Sequence, residues 1–241
     1  MKWQIGSSSS IEKWQTFMSE KQPSSASRYD RLADLFYNMT QAESGEKAVL
    51  VVGAGKGDEV LALKRHFTSV KGIEINMSQV VPEAKPAVEE GDATRMHFVD
   101  ESFDILYCYH VLEHIPEPLV ALQEMKRVLK KGGILYVGVP NKLRLFSYVF
   151  VKEETLWTRL LWNFKDYKAR LLGRFENRYG AHAGFTSLEL GALLKGVFSN
   201  VREVTRQYYT LKYPGSGLVQ SLLKMSSLEF IWPSIYFICR K

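Results

Sequence analysis

The chain has little cysteine, no long apolar run and no internal repeat, and each shortage narrows what it can be. Its two cysteines, Cys108 and Cys239, lie far apart in 241 residues, each inside an apolar stretch. That usage builds no disulfide framework and suits a reducing compartment. No apolar run approaches the roughly 20 residues that a helix needs to cross a bilayer. The amino-terminal stretch, polar and serine-rich around Ser7–Ser10, lacks the apolar centre of a secretory signal. A cytoplasmic location is therefore expected. Hydrophobic residues make up 46% and charged residues 24%. This balance excludes disordered and fibrous chains and leaves enough apolar material for a sizeable core.

The length suits one large domain, or one domain carrying an insertion. Net charge is +6, and the excess is local. Between Asn141 and Ala181 nine Lys or Arg stand against four acids, so this segment alone carries +5. Such a patch fits an anionic small molecule, nucleic acid or an anionic lipid surface, and a solvated helical face explains it equally well.

Short apolar runs alternate with helical patterns. Arg28–Met39 places Tyr29, Leu32, Ala33, Leu35, Phe36 and Met39 near helical spacing. Ala48–Val52 is wholly apolar and ends in Gly53-Ala54-Gly55-Lys56-Gly57, which reads as a buried parallel strand and a tight turn. A helix is expected from Asp58 to His66, a strand at Val70–Ile75, a short helix capped by Asn76 and ended by Pro82, and a weak strand at Ala87–Glu90. Phe103–Tyr109 reads as a strand. Pro118–Lys131 reads as a helix with Pro at its start and Gly132-Gly133 as its stop, followed by a strand at Ile134–Val139. After an aromatic and basic insertion, a helix at Ser187–Lys195 and strands at Val201–Thr205 and Ser234–Cys239 complete seven strands. The alternation predicts an α/β fold with a doubly wound, mostly parallel sheet.

In such a sheet, ligands lie outside the carboxyl ends of the strands at the switch point. Gly53 and Gly55 let a ligand lie against bare backbone, and Glu74, 21 residues beyond Gly53, has the spacing at which a carboxylate reaches ribose hydroxyls. A nicotinamide dinucleotide would want glycine at position 58, where Asp58 would repel a pyrophosphate. S-adenosylmethionine (SAM) has no phosphate and tolerates that acid. No Gly-Lys-Ser/Thr follows the loop, so a nucleoside triphosphate loop is excluded.

The succession Val49-Leu50-Val51-Val52-Gly53-Ala54-Gly55-Lys56-Gly57, Gly72-Ile73-Glu74-Ile75, Gly91-Asp92-Ala93, Ser102–Tyr107, Val111-Leu112-Glu113-His114-Ile115-Pro116 and Arg127–Gly133 resembles the class I SAM-dependent methyltransferases, in the group with the ubiquinone and menaquinone biosynthesis enzymes. The resemblance runs from about Lys47 to Asn141 and returns at His182–Val201 and Pro233–Ile238. It implies a Rossmann-like domain at 47–241, an amino-terminal helical cap segment at 1–46, and an inserted helical substrate cap at about 141–181. It implies that Gly53, Ala54 and Gly55 pass under the cofactor, Glu74 takes its ribose, Ile75 packs on adenine, Asp92 and the Ala93 amide meet the adenine edge, and Tyr109 and His110 border the sulfonium. One departure stands out: the acid common two residues before the first glycine is here Val51, with Tyr29 the candidate to replace it.

His110, Glu113 and His114 are spaced to share one face of a helical turn. A hydroxyl acceptor needs its proton removed, and histidine is the natural base near neutral pH. His114, His182 (in His182-x-x-Phe185-Thr186) and His110 are the catalytic candidates. A loop ordered by His114 alone, and a nitrogen-rich metal site completed by His182, are the competing readings; no metal is assigned. Cys108-Tyr109-His110 has neither a Pro-Cys nucleophile loop nor an Asp/Asn-Pro-Pro turn, which argues against DNA bases. Nine aromatics from Phe146 to Tyr179, with Tyr208, Tyr209 and Tyr213, fit either an apolar substrate pocket with a basic rim or packing of the insertion on itself. The expected activity is methyl transfer to a small-molecule acceptor, a hydroxyl of a hydrophobic or anionic metabolite. RNA ribose 2′-O-methylation through a His/Glu metal site, and a non-catalytic SAM-binding adaptor, remain as alternatives. Peripheral membrane contact stays open, and the sequence is silent on oligomeric state.

Overall fold

Val49 and Val51 of strand β1 (Gly45–Val52) face one side of the sheet, Leu50 and Val52 the other, and all four are buried. A strand apolar on both faces must be covered on both. The computed structural model, which describes residues 28–40, 45–144, 155–172, 184–225 and 232–241, shows how. Six further strands join β1: β2 (Phe67–Glu74), β3 (Val88–Glu90), β4 (Phe103–Tyr109), β5 (Leu129–Pro140), β6 (Asn200–Glu203) and β7 (Ser234–Arg240). Their order is β3-β2-β1-β4-β5-β7-β6. Strands β1 to β5 pair in parallel, and β7 runs antiparallel to both β5 and β6. The expected seven-stranded, mostly parallel sheet is present. Its order reverses between β1 and β4, so the carboxyl ends of those two strands flank the crevice where such sheets take ligands.

One face is covered by α1 (Arg28–Thr40), α2 (Asp58–Leu63), α6 (Thr205–Lys212) and α7 (Gly217–Lys224), the other by α3 (Pro118–Val128) and α5 (Ser187–Lys195). Helix α1 shares the sheet's own core: Leu32, Leu35, Phe36 and Met39 are buried, and the Phe36 ring stands edge-on to Tyr107 at 5.0 Å and to Tyr136 at 5.3 Å. Each such side chain contributes roughly 1.5–3 kcal/mol when buried. A further helix, α4 (Leu156–Leu171), lies in the insertion. Among the described residues no helix is long and apolar enough to cross a membrane.

Several boundaries differ from the sequence reading. Helix α3 stops at Val128, three residues before Lys131, because Leu129 turns extended (φ −79°, ψ 134°) to pair with Phe103 while Lys130 Nζ reaches Asp104 at 2.8 Å. Gly132, at φ +74°, then serves an irregularity in the β4–β5 pairing rather than a helix stop. Helix α2 ends at Leu63 instead of His66, and β2 starts at Phe67. Thr205 begins α6 instead of ending a strand.

The same helix settles where part of the second aromatic group sits. Tyr208 and Tyr209 are buried, with Tyr208 stacked on Tyr236 at 3.8 Å and Tyr209 on Trp232 at 4.5 Å. These rings pack the core. Gly138 of β5 lies between Tyr109 and Tyr236, whose rings are 6.3 Å apart and nearly parallel; a Cβ there would come within 2.8 Å of Tyr236 and 2.9 Å of Tyr109.

Candidate functional site

The loop after β1 is shaped by glycine. Gly53 (φ +69°) and Gly55 (φ +55°) both sit in the left-handed region, which carries a steric penalty for any residue with a Cβ. A Cβ on Gly53 would land on Val111, whereas one on Gly55 would meet no described atom within 4 Å. Gly53 is thus needed for packing beneath the loop, and Gly55 opens onto free space. Between them, the Ala54 N–H donates to the Ile73 carbonyl at 2.8 Å, tying the loop to β2.

Glu74 ends β2 and is only 6% exposed. Its Oε2 accepts the Gly55 N–H at 2.8 Å and its Oε1 the Asn76 N–H at 3.0 Å. A carboxylate oxygen has two acceptor directions, so each keeps one for a ligand hydroxyl. Ile75 beside it is 69% exposed, an apolar ledge at the rim. Exposed Asp92 accepts from the Thr94 N–H and hydroxyl, both at 2.7 Å through Oδ1, and Ala93 is half-buried against the core. The open glycine, the inward carboxylate and the apolar ledge fit a nucleoside with an uncharged backbone contact. Val51, the position at which the resemblance leads one to expect an acid, points into the core, and Tyr29 of α1 packs on that same core.

Across the crevice, β4 ends in half-buried Tyr109 and His110. His110 adopts φ +55°, an uncommon conformation for a residue with a side chain. It is held there: its N–H donates to the Gly138 carbonyl at 2.8 Å, its ring stands on Tyr109 at 4.3 Å, and its Nε2 lies 3.3 Å from Ser234 Oγ. The expected helical face at 110–114 is instead this left-handed residue followed by a 3₁₀ turn, Leu112–His114. The turn still gathers the three side chains. Glu113 Oε1 lies 3.5 Å from His110 Nδ1 and 3.9 Å from His114 Nε2. The Glu113 side chain is 1% exposed. Burial pushes its carboxyl up to about 7, against the pull of a backbone hydrogen bond and of the Arg144 charge. Sequence reasoning found this trio but not the burial of its acid, nor Ser234, which opens β7 without any motif.

Among the described residues no group of three His, Cys, Asp or Glu is arranged to hold a metal ion, and His182 lies outside them. Phe185, three residues on, is tied to the exit of β5 through its N–H to Pro140 and its carbonyl to Lys142. Cys108 is buried and its thiol is pushed well above the usual range by desolvation, which removes it as a nucleophile. In the insertion, Trp157, Phe164 and Tyr167 of α4 are exposed, as are Lys165 and Lys168. Phe146, Tyr148, Phe150, Phe175 and Tyr179 lie outside the described residues, as does the Trp162 side chain. A groove of about 390 Å³ lined by Gln123, Lys126, Arg127, Gly196, Val197 and Lys241 opens at the far edge of the sheet. Its cations are engaged by the protein, Lys126 with the Val197 carbonyl at 2.6 Å and Lys241 with that of Leu129 at 2.7 Å, so it does not compete with the crevice.

The strand order, the glycine turn after β1 and the acid ending β2 define a class I methyltransferase fold. Residues 50–137 match the family described as a methyltransferase domain. The chain is 32% identical over 122 residues to a ubiquinone biosynthesis O-methyltransferase of Actinobacillus pleuropneumoniae (45% of this chain, 52% of the relative). It is 41% identical over 101 residues to a demethylmenaquinone methyltransferase of Staphylococcus aureus (38% of this chain, 42% of the relative). The chain thus spans about half the length of the curated relatives it matches, or less. A SAM-dependent methyltransferase from Archaeoglobus fulgidus superposes with a TM-score of 0.58 at 16% identity, covering 94% of this chain and 99% of that one, which establishes the fold. Residues 50–137 thus resemble a methyltransferase domain, set in a fold shared with SAM-dependent methyltransferases of known structure.

Proposed function

We propose that the crevice between the Gly53–Gly55 loop and His110 binds SAM and methylates a hydroxyl of a small, hydrophobic or anionic acceptor. The observation that carries this reading is the pairing of an open glycine with a buried carboxylate. A Cβ on Gly55 would meet no described atom within 4 Å, and Glu74 grips its N–H while keeping acceptor directions to spare. When bound, SAM supplies a methyl group made electrophilic by its sulfonium. In this reading Gly53, Ala54 and Gly55 form the floor, Glu74 takes the ribose hydroxyls, Ile75 covers the adenine, and Asp92 with the Ala93 amide meets its edge. Tyr109 and His110 border the reacting end, where positioning the acceptor is the enzyme's main task. His110 and His114 are the bases for the acceptor proton, with His182 their partner from the segment ahead of α5. The names of two relatives, both drawn from quinone biosynthesis, support a hydrophobic acceptor. Residues 47–241 form the catalytic domain, the insertion at about 141–181 covers the acceptor, and the amino-terminal segment contributes α1 to the sheet's core.

The test is calorimetric titration of the full chain with S-adenosylhomocysteine. Saturable binding that Glu74→Ala weakens at least tenfold is expected; a flat titration of folded protein overturns the reading. His114→Ala should lower turnover at least tenfold and leave that binding within twofold. Unchanged turnover removes His114 from the chemistry.

A further inference from the structure

A buried carboxyl that finds no hydrogen-bond donor is expensive, and natural folds rarely keep one without use. Glu113 is such a group: its side chain is 1% exposed, and apart from the pull of its own backbone N–H neither oxygen has a hydrogen-bond partner among the described residues. It does not pack as a structural anchor would, and it does not face solvent. It faces imidazoles. Oε1 lies 3.5 Å from His110 Nδ1, and His110 Nε2 in turn lies 3.3 Å from Ser234 Oγ. The two ring nitrogens of His110 therefore have different neighbours, an acid on one side and a hydroxyl on the other.

We propose that Glu113 is the positioning residue of His110: it accepts the Nδ1 proton and so leaves the Nε2 lone pair on the Ser234 side, ready to accept a proton. In a neutral imidazole one nitrogen donates and the other accepts, and the bond made by one decides the role of the other. A carboxylate can only accept, so it selects the Nδ1–H form. Contact requires the pair to close by roughly 0.6 Å to the usual N–H···O length, a movement within the looseness typical of such pairs before ligand binding. His110 is the better partner than His114, whose Nε2 is 3.9 Å from the same oxygen.

The local charges agree with an ionisable acid here. Among the described residues, His110, His114, Arg144 and the Cys108 thiol are titratable or charged groups around Glu113; Arg144 favours the carboxylate, and burial opposes it. The left-handed His110 backbone is the second sign of a built arrangement. Strain at a residue fixed by Gly138, Tyr109 and Ser234 marks a side chain whose direction is specified. Ser234 Oγ holds the place that an acceptor hydroxyl would take at Nε2. The catalytic consequence rests on the methyltransferase reading above; the tautomer itself does not.

The experiment is long-range proton–nitrogen NMR of the full chain with ¹⁵N-labelled histidines at pH 8, His110 being assigned by loss of its signals in His110→Asn. The wild type is expected to show a protonated Nδ1 and a bare Nε2, with the other tautomer below one tenth. In Glu113→Leu and Glu113→Gln the Nε2–H form should rise at least threefold. A wild-type His110 protonated on Nε2, or a tautomer ratio unmoved in both variants, overturns the proposal. The wild-type spectrum decides even if both variants fail to fold. Titration with S-adenosylhomocysteine separates the two readings. A flat wild-type titration removes the methyltransferase assignment and leaves the tautomer result standing. Binding retained within twofold in the variants, with the tautomer shifted, supports both.

Discussion

Replacing Glu113 with glutamine should stabilise the protein, and more so the higher the pH. The carboxyl sits at about 7 in the fold because burial disfavours its charge, against 4.5 when unfolded. The difference of about 2.5, at about 1.4 kcal/mol for each whole step in pKa, is roughly 3–4 kcal/mol. The sign follows from proton counting. Below about pH 4.5 both states are protonated and the wild type suffers no deficit. Between 4.5 and 7 the unfolded chain releases the proton while the fold retains it, so stability falls as pH rises; above 7 the full deficit is present. Glutamine has nearly the shape of the protonated acid and no charge at any pH. Thermal melts of both proteins at pH 4.5 and pH 8.5, taken as the difference between variants so that all shared titrations cancel, read the effect directly. The melting temperatures should nearly coincide at the lower pH. At the higher one Glu113→Gln should lead by about 6–16 °C, from roughly 2–4 °C per kcal/mol in a chain of this size. An equal gap at both pH values, or a wild type that gains on the variant as pH rises, would refute the burial argument.

Two further substitutions probe the crevice from either side. Gly55→Ala places a Cβ in open space at φ +55°, so it should lower stability by only about 1 kcal/mol yet weaken S-adenosylhomocysteine binding at least tenfold by calorimetry; unchanged affinity would mean that nothing lies over that glycine. Gly138→Val wedges a side chain between Tyr109 and Tyr236, and overpacking of this kind costs roughly 1–3 kcal/mol. A melting temperature within 1 °C of the wild type would show that those rings yield freely.

Much of the fold was legible because β1, β4 and β5 are short apolar runs buried on both faces, which leaves little room for another reading. The shape of the candidate crevice was legible for a related reason: glycine at 53 and 55 suits a left-handed backbone, and the acid at 74 answers a donor that needs an acceptor. Other features carry no local signature. Leu129 leaves its helix for a partner, Phe103, that lies 26 residues earlier, and no periodicity announces that. The α6 sequence, Thr205–Lys212, mixes tyrosines with polar residues, so its rings read as a pocket lining until Tyr236 and Trp232 are seen stacked on them. His110 in a left-handed conformation has no sequence mark, and neither does the desolvation of Glu113, which depends on what surrounds the 3₁₀ turn rather than on the turn itself.

The hydrogen bond from Gly55 to Glu74 fastens the loop within the fold, so under the proposed reading an arriving nucleoside finds a finished seat and loses less affinity to the freezing of mobile chain. It also makes position 74 an ambiguous reporter. Truncating that side chain removes a ligand contact and unfastens the seat in one stroke, so affinity lost there overstates what the sugar contact alone contributes. Glutamine at 74 keeps one amide-accepting oxygen, and the difference between it and alanine measures the fastening.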